Sequence, residues 1–389
     1  MPVSNRLYKQ SNRLPKYRPL PWPEYLRHIL GKDAVLWTAL FLGGVSCLLC
    51  RPPLAAYGEY IDGKTLACLG CLMAASGGFM ISGVFDLAAA RLAGRCRSAR
   101  SLAAAMIFST FFSSMIITND VALIVFVPMT LLAYRRAGAD PAMTVILQTV
   151  AANVGSILLP MGNPQNLYLY SRYHLTFGPF LEAVLPLSLA GLVVLGLFCL
   201  RSGGSALACA DAREPDIPLW DVMLYSGLFL FAALAVFDVV DYRIATACTL
   251  LVMAAKGRNL VQQVDYALLL TFVGFFLFVG NVSHIPQVVG VLRDLVEPRP
   301  FLAAALSSQL ISNVPAAVLL SGFTENSRAL LAGVSAGGCG TLIASMASLI
   351  SYKLYVRDGG ERRRYLIFFT LVNILFLLVM SAAYALAVA

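Results

Sequence analysis

The chain reads as an all-α integral membrane protein made of two inverted repeats, each with a re-entrant helical hairpin and a discontinuous transmembrane helix. Three observations lead there. The first is composition: of 389 residues, 59% are hydrophobic and 13% charged, and the mean hydropathy is +0.77. Soluble domains carry about a quarter charged residues. The second is a pair of similarly worded polar interruptions in each half of the chain. The third is the placement of Lys and Arg, which decides how the interrupted segments fold.

Apolar segments fall near 34–50, 65–84, 101–134, 141–171, 179–200, 220–239, 242–255, 264–282, 301–322, 329–352 and 365–387. At about 20 residues per crossing, they make about nine full spans plus two hairpins. Residues 1–33 are polar and basic and read as a cytoplasmic tail. Residues 34–200 form the first membrane half, with a hairpin at 101–134 and a broken helix at 141–171. The Gly-rich, polar stretch 201–218 reads as a cytoplasmic linker. Residues 219–389 form the second half, with a hairpin at 301–322 and a broken helix at 329–352. Segment 286–299 reads either as an amphipathic helix along the outer surface or as a plain loop.

Basic residues flank 101–134 on both sides, Arg91, Arg95, Arg97 and Arg100 before it and Arg135 and Arg136 after it. A single crossing would put one cluster outside, whereas a hairpin turning near Asn119 keeps both in the cytoplasm. Applied throughout, this topology leaves 22 Lys and Arg inside and seven outside. The net charge of +9 therefore belongs to membrane topology and not to nucleic-acid binding.

The first interrupted pair holds Thr118-Asn119-Asp120, then Asn153 and Ser156, then Gly162-Asn163-Pro164-Gln165-Asn166. The second holds Ser312-Asn313, then Gly337 to Thr341, then Ser345 and Ser348. Backbone groups freed in a bilayer are costly unless they face protein, water or an ion. Paired breaks in the two halves of a chain therefore point to a transport site. Asp120 is the one carboxylate at an expected midplane break, where insertion costs about 2.5–3.5 kcal/mol. Coupling to a proton or cation is its expected role, and capping the returning helix is its plainer one. Three amides within Gly162–Asn166 exceed what a proline kink requires.

Other motifs carry less. Gly58 to Thr65 fits GxxxxGK[ST] but lacks the preceding strand of a nucleotide loop, so it reads as a chance match. An ATPase subunit would leave no mark in this chain. Cys47, Cys50, Cys68 and Cys71 have zinc-like spacing, but Leu, Ala and Gly surround them, so packing is the plainer reading. His28, His174 and His284 are scattered, with no nucleophile–base–carboxylate set to support a hydrolase.

Together these motifs resemble the ion transporter superfamily, from about Asp33 to the C-terminus. That group includes divalent-anion/sodium symporters, citrate-transporter-like permeases, arsenite permeases and some sodium/proton antiporters, and bacterial anion permeases are the nearest in wording. The resemblance implies a first cation site at Thr118 and Asn119 with the Gly162–Asn166 loop, with Na+ near Thr118, Asn119 and Asn163. It implies a second at Ser312 and Asn313 with Thr341, Ser345 and Ser348. It further implies a homodimer, an elevator-type motion and no cofactor beyond Na+ or H+. Asp120, Val314, Ala344 and Ser348 depart from the sodium-coupled pattern and favour proton coupling or a single coupling ion. The expected function is secondary active transport of a small anion across the cytoplasmic membrane. Arsenite efflux or Na+/H+ exchange is the alternative, and a passive channel a more distant one.

Overall fold

The computed structural model describes residues 19–25, 31, 34–53, 56–85, 87–88, 91, 96, 98–136, 138–201 and 217–388, which fold into helices joined by turns. The tail and linker expectations therefore fall largely outside the described residues. Helices start where the sequence supplies caps. After α1 (Ala34–Cys50), α2 (Gly63–Ser82) opens on Asp62, whose carboxylate accepts from the Thr65 amide at 3.0 Å and from the Thr65 hydroxyl. A helix cap thus uses the amide that a phosphate loop would offer to a nucleotide.

α3 (Ala99–Ile117) begins at a reciprocal Ser98–Ser101 capping box and ends at Thr118, where α4 (Asn119–Arg136) starts at once. Cys96, Leu102 and Met106 share one apolar cluster with Val125, Phe126, Met129 and Tyr134. On a single straight helix Met106 and Met129 would stand about 35 Å apart, at 1.5 Å per residue. The chain therefore doubles back at Thr118.

The next segment is broken. It comprises α5 (Ala142–Ser156), a 3₁₀ turn at Pro160–Gly162 and α6 (Pro164–Arg172). Then come α7 (Phe177–Arg201), α8 (Leu219–Val236), α9 (Tyr242–Lys256) and α10 (Tyr266–Val282). Segment 286–299 contains a helix, α11 (Pro286–Val296), bent by 109° from α10. It exposes Val288, Val291 and Leu295 and turns Val289 and Leu292 inward.

The second half repeats the plan. α12 (Pro300–Ile311) and α13 (Asn313–Leu320) reverse at Ser312, so that Ala303 and Leu320 pack on the same Val282–Val296–Phe323 cluster. α14 (Ser327–Gly337) and α15 (Met346–Arg357) form the second broken helix, and α16 (Arg362–Val388) ends the fold. Thr118 (φ 72°, ψ 151°) and Ser312 (φ 76°, ψ 154°) adopt the same backbone conformation. So do Asn163 (φ −144°, ψ 144°) and Ser345 (φ −144°, ψ 138°), which precede α6 and α15.

Packing divides the helices into two groups. α3 packs on α5, where a Cβ on Gly155 would lie 2.2 Å from the Phe111 carbonyl. α12 packs likewise on α14, where one on Gly333 would lie 2.5 Å from the Phe301 carbonyl. The second members of the broken helices cross over: α6 packs on α13 and α15 on α4, while α7 and α16 flank α5 and α14. The other group is α1 with α10 and α2 with α8 and α9. α10 meets α13, and α2 meets α6, where the groups touch.

Among the described residues, five helices, α2, α3, α7, α8 and α16, are long and apolar enough to cross a bilayer, or six spans if α10 and α11 count as one. That is fewer than the count expected from the sequence. A span broken at its middle yields two helices each below crossing length, and α1, α9 and α10 stop at 17, 15 and 17 residues. Six ion pairs each join two ends that the basic-residue pattern assigns to one face. Arg135–Asp358, Arg364–Asp140 and Lys256–Asp221 lie on the inner side of that pattern. Lys64–Asp238, Arg328–Glu182 and Arg293–Glu325 lie on the outer side.

α1 and α10 touch through backbone, a Cβ on Gly274 falling 2.6 Å from the Ala39 carbonyl carbon. Gly274→Leu is expected to lower stability by about 1–3 kcal/mol through overpacking. Gly44→Leu, in open space, should change it little. Thermal unfolding in detergent reads the difference, and equal effects would contradict this packing.

Candidate functional site

Each chain reversal and each helix break exposes polar backbone, and all four converge. One cavity is lined by Asn119 and Asp120 from the first reversal and by Ser312, Asn313, Val314 and Pro315 from the second. Asn163, Pro164 and Gln165 come from the first break, and Ser345 and Met346 from the other. Val35 of α1 with Leu268 and Thr271 of α10 close it from the other helix group. The space open to water-sized solutes is about 30 Å³, room for about two waters.

Asn153, buried in α5, ties the halves together. Its Oδ1 accepts from Asn119 Nδ2 at 3.2 Å and from the Ser345 hydroxyl at 3.1 Å, and its Nδ2 donates to the Gly338 carbonyl at 3.1 Å. Ser156 accepts from Asn163 Nδ2 at 2.6 Å and so fixes the side chain that precedes α6. Asn166 Nδ2 reaches the freed carbonyls of Ser156, Ile157 and Leu159 at 3.2, 3.3 and 3.3 Å. Gly162 allows the tight return, since a Cβ there would lie 2.1 Å from the Ser156 carbonyl oxygen.

The sequence candidates thus sort by place. Asn119, Asp120, Asn163, Pro164, Gln165, Ser312, Asn313 and Ser345 line the cavity. Asn153, Ser156, Gly162 and Asn166 support it from behind, and Thr118 makes the turn. Thr341 is exposed and bonds Gln309, its hydroxyl donating to the Gln309 carbonyl at 2.9 Å. Ser348 is buried beyond the lining, and its Oγ has no hydrogen-bond partner. Sequence reasoning missed Gln309, Thr271 and Val35. An amide in the apolar run of α12 was a signal for the first, whereas the other two look like ordinary helix residues.

A family model described as citrate transporter matches residues 29–336, the stretch containing both reversals and the first broken helix. The chain belongs to the citrate transporter family. Two relatives with transporter or inner-membrane names agree. Inner membrane protein YbiR of Escherichia coli is 32% identical over 311 residues, covering 78% of this chain and 82% of its own. An uncharacterized transporter of Methanocaldococcus jannaschii is 33% identical over 282 residues, covering 72% and 77%. The rice silicon efflux transporter LSI3 is 32% identical over 144 residues, covering 36% and 29%. Among solved structures, the YdaH transporter of Alcanivorax borkumensis covers 95% of this chain and 98% of its own, with 16% identity and a TM-score of 0.49.

In this family member the Asn153 bridge should be costly to remove. Asn153→Ala strips a partner from Asn119, Ser345 and Gly338 at once and is expected to cost about 1–3 kcal/mol. An unchanged melting temperature in detergent would show that the bridge holds nothing.

Proposed function

We propose that the chain is a secondary active transporter that moves a small anion, a carboxylate or an inorganic anion, across the cytoplasmic membrane by alternating access, coupled to Na+ or H+. The observation that carries this reading is that the N-termini of α4, α6, α13 and α15 all meet at one cavity. Each is the positive end of a helix dipole, equivalent to about half a charge. Together they attract an anion although no Lys or Arg lines the cavity. Lining amides and hydroxyls add neutral donors, so the solute is held without a fixed cation that would oppose its release.

The coupling ion belongs to the first half. Asp120 Oδ1, Asn163 Oδ1 and Asn166 Oδ1 are buried acceptors without a donor. Leaving such oxygens dry is costly, and a monovalent cation, or a proton on Asp120, would answer them. The corresponding second-half positions hold Val314, Ser345 and Ser348, which supply no carboxylate or amide oxygen. The contact between the two helix groups is the surface along which an elevator motion would run.

A second reading, arsenite efflux or Na+/H+ exchange, draws on the tight cavity and on a carboxylate in its wall. The partial match to a silicon efflux transporter is in keeping with efflux. A panel of citrate, succinate, sulfate, arsenite and Na+ in proteoliposomes, with imposed Na+ or H+ gradients, separates the readings. Asp120→Asn should keep the fold and abolish or uncouple flux. Gradient-driven uptake at the wild-type rate would remove Asp120 from coupling.

A further inference from the structure

The two reversals are fastened in different ways. In the second half, Gln309 reaches from α12 into the break of the adjoining helix. Its Nε2 donates to the Gly337 and Cys339 carbonyls at 2.9 and 3.0 Å, and its Oε1 accepts from the Thr341 amide at 2.8 Å. Thr341 Oγ1 bonds back to the Gln309 carbonyl, and the Asn313 amide donates to the Ala344 carbonyl at 3.0 Å. Gly340 (φ 125°) leaves room for the amide, since a Cβ there would lie 2.1 Å from Gln309 Oε1. All of these bonds join the hairpin to the broken helix.

With Thr118-Asn119 aligned to Ser312-Asn313, Met115 takes the place of Gln309. Met has no amide to donate. The carbonyls freed at the end of α5 are instead answered by Asn166, from within the broken helix itself. Among the described residues, the first tip meets α5 by the Asn119–Asn153 bond, with Thr110–Gln148 further back along α3. Asn166 and Gln309 therefore do the same chemical work, but only Gln309 also clamps its hairpin.

We propose that Gln309 pins the second hairpin to its broken helix, and that the first hairpin is the moving gate. A cavity this tight must open to admit any polyatomic solute. It opens where the Asn119 tip parts from Asn153, toward the face bearing Arg135 and Asp140. Gln309 acts as a positioning residue and does not line the cavity. Carrier function gives the motion its purpose, but the hairpins can be compared without any solute, so failure of the transport reading would leave this comparison standing.

The test is hydrogen–deuterium exchange on the full chain in lipid nanodiscs, corrected for intrinsic rates. Amides of 118–123 should exchange at least about tenfold faster than those of 312–317. Gln309→Met should bring the second tip to the rate of the first while α1 and α10 keep theirs. Thr341→Val, which removes one bond of the clamp, should fall between. Equal rates at the two tips of the wild-type chain would overturn the proposal, whether or not the variants fold. So would a second tip unmoved by Gln309→Met.

Discussion

A carbonyl or amide freed inside a bilayer has no water to turn to, and that constraint organises this molecule. The chain frees such groups four times, at Thr118, Ser312, the 157–163 break and the 338–345 break. Side-chain amides answer them: Asn166 takes three carbonyls, Gln309 two at the other break, and Asn153 a third there while also holding Asn119 and Ser345. The breaks survive because they face one another, and by facing one another they enclose a cavity. The amides that meet the structural need stand behind the cavity, and the residues they hold in place line it.

The reversals add a second element. Thr118 and Ser312 hold a positive-φ conformation that suits glycine, at about 1–3 kcal/mol each. Such strain persists only where the surroundings over-determine it. Here it is kept in both halves, with a β-branched residue in one of them. The turn brings the N-termini of α4 and α13 to the cavity, while Ile117 and Ile311, the last residues of α3 and α12, do not line it.

Much of this was legible in the sequence because breaking a membrane helix requires conspicuous residues. Asn119-Asp120 and Gly162 to Asn166 stand out in apolar surroundings, and flanking arginines dictate the reversal of 101–134. Gln309 shows in the sequence as an amide in an apolar run, but its partners Gly337, Cys339 and Thr341 lie about 30 residues downstream, beyond any local pattern. Thr271 and Val35 reach the cavity only through long-range packing of α10 and α1, which no local pattern encodes. Thr341 and Ser348 carry site chemistry in their side chains, but Thr341 is spent on Gln309 and Ser348 sits behind the lining.

The whole arrangement requires the apolar run around Asn119 to return on itself. Electron–electron resonance between spin labels at Ala105 and Ala133, both packed on one cluster, tests it most directly. Adjacent antiparallel helices, about 8–10 Å between axes, predict a short, narrow distance distribution. A distance near 42 Å, the length of about 28 helical residues laid end to end, would mean a straight rod and contradict the account.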